Sequence, residues 1–87
     1  MLVAPDPMTV TVLLFASYAD ALGSSSVELE LRPGATVRDL LARVRELGGA
    51  ERLPRAPMVA VNERYAPAER VLSAGDEVAL IPPVAGG

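Results

Sequence analysis

The sequence predicts an α+β domain in which a mixed β-sheet carries one main helix on one face. Three observations predict it. Val27-Glu28-Leu29-Glu30-Leu31 alternates apolar with charged residues, the period-two signature of a half-buried strand. Val37, Leu40, Leu41, Val44 and Leu47 recur at i, i+3, i+4, i+7 and i+10, which draws one apolar stripe along a helix. The 87 residues are 51 % apolar, enough for one core and too few for a second.

Met1 to Pro7 holds two prolines and reads as a flexible leader (1–7) with no function assigned to it. Met8 to Phe15 is rich in Val and Thr and reads as the first strand. Val10, Val12 and Leu14 share one face; Thr9, Thr11, Leu13 and Phe15 share the other. Ala16 to Gly23 has room for a turn or two of helix ending at the glycine. The strand Val27–Leu31 follows, near enough to the first to pair with it as a hairpin, and Pro33-Gly34 stops it. Thr36 opens the main helix, because its hydroxyl can cap free amides and Asp39 adds a negative charge at the helix's positive end. Arg38, Asp39, Arg43, Arg45 and Glu46 fall off the apolar stripe, with Asp39 and Arg43 spaced for an i, i+4 pair. Gly48-Gly49 is the expected stop.

After a proline-containing connector, Met58–Val61 reads as a short strand, Asn62-Glu63 as a turn and Arg64-Tyr65 as a short edge strand. Leu72 and the turn Ala74-Gly75-Asp76 lead into the last strand, Glu77–Ile81. Pro82-Pro83 ends it, since neither can donate a ladder hydrogen bond. Strand, strand, helix, strand, short strand, strand is the order of a β-grasp fold. The expected domain is therefore 8–81, followed by a flexible tail, 82–87.

Composition excludes most chemistry by side chains. Cys and His are absent, and all eight cations are arginines. Thiol nucleophiles, imidazole bases, Schiff-base lysines and the usual zinc ligands are excluded together, so no metal or bound cofactor is expected. A net charge of −3 argues against nucleic acid as a partner. No stretch nears the roughly 20 apolar residues that span a membrane, and a cytoplasmic location is expected. Asp76 and Glu77 follow Gly75 in a turn entering a strand, where turn formation is the expected role rather than acid–base work.

Two features remain for function. The tail Pro82-Pro83-Val84-Ala85-Gly86-Gly87 leaves a strand abruptly and carries small or modest side chains, so it could thread a narrow channel. The sheet face away from the helix would expose Leu13, Phe15, Ala79 and Ile81, with Tyr65 beside them. An apolar patch at the root of such a tail is expected to meet a partner.

Leu13-Leu14-Phe15-Ala16, the Pro33-Gly34 turn with Thr36-Val37-Arg38-Asp39-Leu40-Leu41, Val59-Ala60-Val61-Asn62, and Gly75 through Gly87 resemble the MoaD family, the small subunits of molybdopterin synthase. The likeness spans about Met8 to Gly87, with the closing stretch its most specific part. The remainder is similar to any ubiquitin-like sulfur carrier of the MoaD/ThiS kind.

The resemblance implies a non-catalytic subunit whose Gly87 carboxylate is adenylated by an E1-like enzyme that consumes ATP. A sulfur donor would then convert it to a thiocarboxylate. It implies a large synthase subunit as partner, in a heterotetramer, with sulfur passing to cyclic pyranopterin monophosphate in molybdenum-cofactor biosynthesis. Pro82, Pro83, Val84, Ala85 and Gly86 would thread the partner; Phe15, Tyr65 and Ile81 would dock it. Two alternatives carry different expectations. One is a carrier for thiamine, tRNA thiolation or cysteine synthesis. The other is a ubiquitin-like modifier or binding module.

Overall fold

Among the residues described, 6–47 and 57–82, the computed structural model has strand β1 (Met8–Leu14), helix α1 (Ser17–Leu22), strand β2 (Ser26–Leu31), helix α2 (Val37–Val44), and strands β3 (Met58–Val61), β4 (Arg64–Tyr65) and β5 (Glu77–Ile81). The strands form one sheet in the order β2-β1-β5-β3-β4. β1 and β5 are parallel and every other neighbouring pair is antiparallel, which makes the sheet mixed. β1 and β2 pair as expected, from Met8↔Leu31 to Leu13↔Ser26, and α1 is the short helix expected between them, capped at Gly23.

The alternation of each strand decides the two faces. Val10, Val12, Leu14, Leu29, Leu31, Val59, Val61, Val78 and Leu80 are buried and cluster with Val37, Leu40 and Val44 of α2. Burying each such aliphatic side chain contributes about 1.5–3 kcal/mol. Leu41 and Leu47, at the margin of the stripe, are partly buried against this core. Tyr18 brings α1 into the same cluster, and burial raises its hydroxyl pKa, with Arg45 opposing.

The start of α2 is held by a reciprocal cap. The Asp39 amide donates to Thr36 Oγ1 at 3.3 Å, and the Thr36 amide donates to the Asp39 carboxylate at 2.9 Å. The Val37 and Arg38 amides donate to the Arg70 and Ala68 carbonyls. The free donors that every helix N-terminus carries are thus met by the cap and by the returning 66–72 segment.

The end of α2 differs from the sequence expectation. The α-helix stops at Val44 rather than running to Gly48-Gly49, and those glycines lie outside the described residues. Glu46 and Leu47 donate to the carbonyls of Arg43 and Val44, three residues back, so the last turn tightens. The expected Asp39–Arg43 pair is also replaced. Asp39 is committed to the cap, while Arg43 pairs with Glu46 at 3.4 Å and donates to the Glu30 carbonyl at 3.0 Å. That second bond occupies a carbonyl on the edge strand β2.

Two polar turns close the far end of the sheet. Asn62 and Glu63 take φ of 50° and 72° in the two-residue β3–β4 loop, a geometry glycine favours at the second position. Asp76 accepts from the Ser73 amide at 2.8 Å and from Asn62 Nδ2 at 3.0 Å, and Asn62 Oδ1 accepts from the Glu77 amide at 3.0 Å. Asp76 therefore serves as a turn clamp.

Thr36→Ala should cost about 1 kcal/mol, lowering the melting temperature by roughly 4–8 °C in a thermal scan. Glu63→Gly should stabilise by about 1 kcal/mol in urea titration, because the strained φ is relieved. The carboxyls of Asp39 and Asp76 are both held below the ordinary 3.8, each chiefly by a backbone amide, from Thr36 and Ser73 respectively. Depressed folded values mean their stabilisation is present above that ordinary value and is lost as pH falls through the lowered ones. The urea midpoint should therefore drop below about pH 4, and Asp39→Asn should flatten the drop.

Candidate functional site at the root of the C-terminal strand

β5 runs down the middle of the sheet, between β1 and β3, and carries the chain out at Ile81. Pro82 is half-buried there. Pro83, Val84, Ala85, Gly86 and Gly87 lie outside the described residues. Because β1 and β5 are parallel, the end of β1 arrives at the same place. Their register pairs Leu13 with Ala79 and ends with Leu14 against Leu80, so Phe15 follows one residue past the last pair, at the end of the sheet where Ile81 lies.

β3 completes the surface. Ala60 pairs with both Ala79 and Tyr65, and Met58 pairs with Ile81. Cross-strand partners project from the same side of a sheet. The face that α2 leaves uncovered thus presents Leu13, Ala79, Ala60 and Tyr65 in one row, with Phe15, Ile81 and Met58 next to the chain's exit. Phe15 is 47 % exposed, Met58 39 % and Tyr65 72 %; Leu13, Ala79 and Ile81 are half-buried.

The same face turns polar toward the other end of the strands. Thr9 pairs with Glu30, and Thr11 with both Glu28 and Glu77. Apolar surface is therefore concentrated at the exit and does not cover the sheet evenly. A groove of about 310 Å³ adjoins it, lined by Val37, Leu41, Met58, Val59, Tyr65 and Ala66 among others. A hollow of about 350 Å³ beside the free edge of β2 is lined by Asp39 and Arg43, whose polar groups are already committed to the cap and to Glu30 and Glu46.

The structure places Tyr65 and Ile81 on the face that α2 leaves uncovered, and exposed Phe15 immediately after the end of β1. Sequence reasoning missed Met58, although the signal was available: with Val59 and Val61 inward, alternation sends Met58 outward. Val71, 55 % exposed, lies elsewhere, bridged to Thr36 at the start of α2. Among the described residues no group of three or more acidic side chains is placed to hold a metal ion. What this geometry can do chemically is seat a partner protein close to the point where the C-terminal chain departs.

These features define a ubiquitin-like β-grasp domain whose uncovered sheet face is apolar at the root of its last strand. The chain belongs to the ThiS family, whose model matches residues 12–87. It is 36 % identical over 83 residues to the molybdopterin synthase sulfur carrier subunit of Chlamydomonas reinhardtii, covering 92 % of this chain and all of that one. It is 31 % identical to the protein of the same name from Haemophilus influenzae, covering 90 % of this chain and 99 % of that one. Among solved structures it resembles small archaeal modifier protein 1 of Haloferax volcanii, with a TM-score of 0.77 at 28 % identity over 88 % of this chain and 99 % of the other. In fold alone it also resembles the ubiquitin of Caldiarchaeum subterraneum, with a TM-score of 0.64 at 23 % identity over 93 % and 99 % of the two chains.

Phe15→Ser and Tyr65→Ser should each change stability by no more than about 0.5 kcal/mol, as expected for exposed positions. Leu80→Ala on the opposite side of β5 should cost about 2–5 kcal/mol. Urea titration of the three variants checks the division between the uncovered face and the core.

Proposed function

We propose that the chain is a sulfur carrier in molybdenum-cofactor biosynthesis, working as the small subunit of a molybdopterin synthase. The observation that carries this reading is the match to the ThiS family, which runs through Gly87, together with curated relatives named as sulfur carrier subunits of that synthase. The apolar face at the root of the tail supports it.

The carboxylate of Gly87 is a poor electrophile until it gains a leaving group. An E1-like enzyme joins it to AMP from ATP, releasing pyrophosphate. Sulfide-level sulfur released by the donor then attacks the acyl carbon and displaces AMP, leaving a thiocarboxylate. Pro82 and Pro83 mark the end of the strand, and Val84, Ala85 and Gly86 give the arm a thin profile that a narrow channel accepts. The large synthase subunit takes the tail, and the thiocarboxylate sulfur passes to cyclic pyranopterin monophosphate while water restores the carboxylate. One dithiolene needs two sulfurs, so two carriers act in turn on a heterotetramer with two large subunits.

The carrier contributes no catalytic side chain and no bound cofactor in this scheme. Its partners are the large subunit, the adenylating enzyme and the sulfur donor, in the cytoplasm, with neither nucleic acid nor membrane involved. Phe15, Tyr65, Ile81 and Met58 dock the partners, and tethering the sulfur beside that dock raises its effective concentration at the substrate.

A second reading is favoured by the likeness to small archaeal modifier protein 1: conjugation through Gly87 to other proteins. With no Lys in its 87 residues, this chain offers no side-chain amine for building polymers of itself.

Incubation with the native adenylating enzyme, ATP and sulfur donor should raise the intact mass by about 16 Da, one oxygen replaced by sulfur at the activated carboxyl. Removing Gly86-Gly87 should abolish both the gain and molybdopterin formation. An unchanged mass, or activity that survives without Gly87, contradicts the carrier reading.

A further inference from the structure

The turn that follows β1 is strained where it need not be. The Leu14 amide donates to the Ser25 carbonyl at 2.9 Å, the last anchor before the turn. The Phe15 carbonyl then accepts from the Tyr18 amide at 3.0 Å, closing a four-residue turn over Ala16 and Ser17. Ala16 sits at φ 48°, ψ −120°. That is the first central position of a type II′ turn, where glycine is the ordinary occupant because a Cβ crowds the backbone. The Ala16 carbonyl accepts from the Asp20 amide at 3.0 Å and so opens α1, for which Ala16 supplies no side-chain cap.

Both flanks of the turn are fixed. Leu14 is 3 % exposed and Tyr18 1 %, and each is part of the core. Between them Phe15 projects to the surface as the one large side chain of the segment that the core does not take up. The packed flanks hold Ala16 in a conformation it would leave if free, and its methyl narrows the range the turn can explore. Glycine there would relieve the strain and widen that range.

We infer that Ala16 is a positioning residue, an alanine kept at a glycine position so that the Phe15 ring is held in one place beside Ile81 and Met58 at the chain's exit. This rests on the proposed docking role of that face. Stability is given up for definition of a contact residue, a trade expected where a local rule is broken at a working surface.

The test is Ala16→Gly, read three ways. Its melting temperature should rise by roughly 2–6 °C as the strained φ is relieved. Dissociation from the large synthase subunit of the same organism should become about three- to tenfold faster, because a looser Phe15 must be ordered on binding. Phe15 is the only phenylalanine in the chain, so 4-fluorophenylalanine gives a single ¹⁹F resonance. That resonance should move toward the position of a freely solvated ring in Ala16→Gly.

A melting temperature that does not rise overturns the strain. A rise with an unmoved ¹⁹F resonance and unchanged dissociation overturns the positioning role. Phe15→Ala in parallel separates the two readings: if it leaves dissociation unchanged, the docking role of the face is wrong, and the ¹⁹F shift still decides whether Ala16 positions the ring.

Discussion

The parallel pairing of β1 with β5 at the centre of the sheet is the constraint on which the rest depends. Parallel neighbours cannot be joined by a tight turn, so the intervening chain must cross a face, and α2 lies in that crossing. The crossing covers one face and leaves the other bare. Parallel strands also finish at the same end, which puts Leu14 against Leu80 and places the last apolar residues of β1 at the end of the sheet where β5 finishes. An antiparallel β1–β5 pair would put that end of β1 at the opposite edge of the sheet, beside the Asn62–Asp76 clamp.

Much of this was legible in the sequence because it rests on periodicity and caps, which are local. The Val27–Leu31 alternation, the Val37–Val44 stripe and the Thr36–Asp39 cap each depend on neighbours a few residues apart, and the structure has them all. Leu13, Phe15, Ala79 and Ile81 could be assigned to the outer face by counting in twos. What the sequence hid depends on partners far along the chain. Asp39 faced two uses, the cap and Arg43, and the part-buried, otherwise free amide of Thr36 is the stronger claim on a carboxylate than an exposed guanidinium. The end of α2 was read from Gly48-Gly49, yet its last turn tightens three residues earlier, where only Leu47 still reaches the core. Ala16 gives no signal in sequence, since glycine, asparagine and aspartate are the residues that mark positive-φ turns.

Function divides between the folded body and the tail in a way that composition already foreshadows. Without Cys, His or Lys, the body has no thiol, imidazole or side-chain amine to react with an activated acyl group. In the proposed scheme chemistry is confined to Gly87, and the body's work is recognition. The segregation of the uncovered face, apolar at the exit and acidic at the far end, suits that division. In that scheme a partner that buries the apolar end also covers the end of β5, so one docking event would both select the carrier and present its sulfur.

The most direct measurement is a single turnover. Thiocarboxylated protein is mixed with the large synthase subunit and cyclic pyranopterin monophosphate, and the dithiolene product and the remaining thiocarboxylate are counted together. Molybdopterin should form with two carriers consumed for each dithiolene and the Gly87 carboxylate restored. Unchanged substrate and intact thiocarboxylate, in a sample whose carrier does transfer sulfur to tRNA, would contradict it.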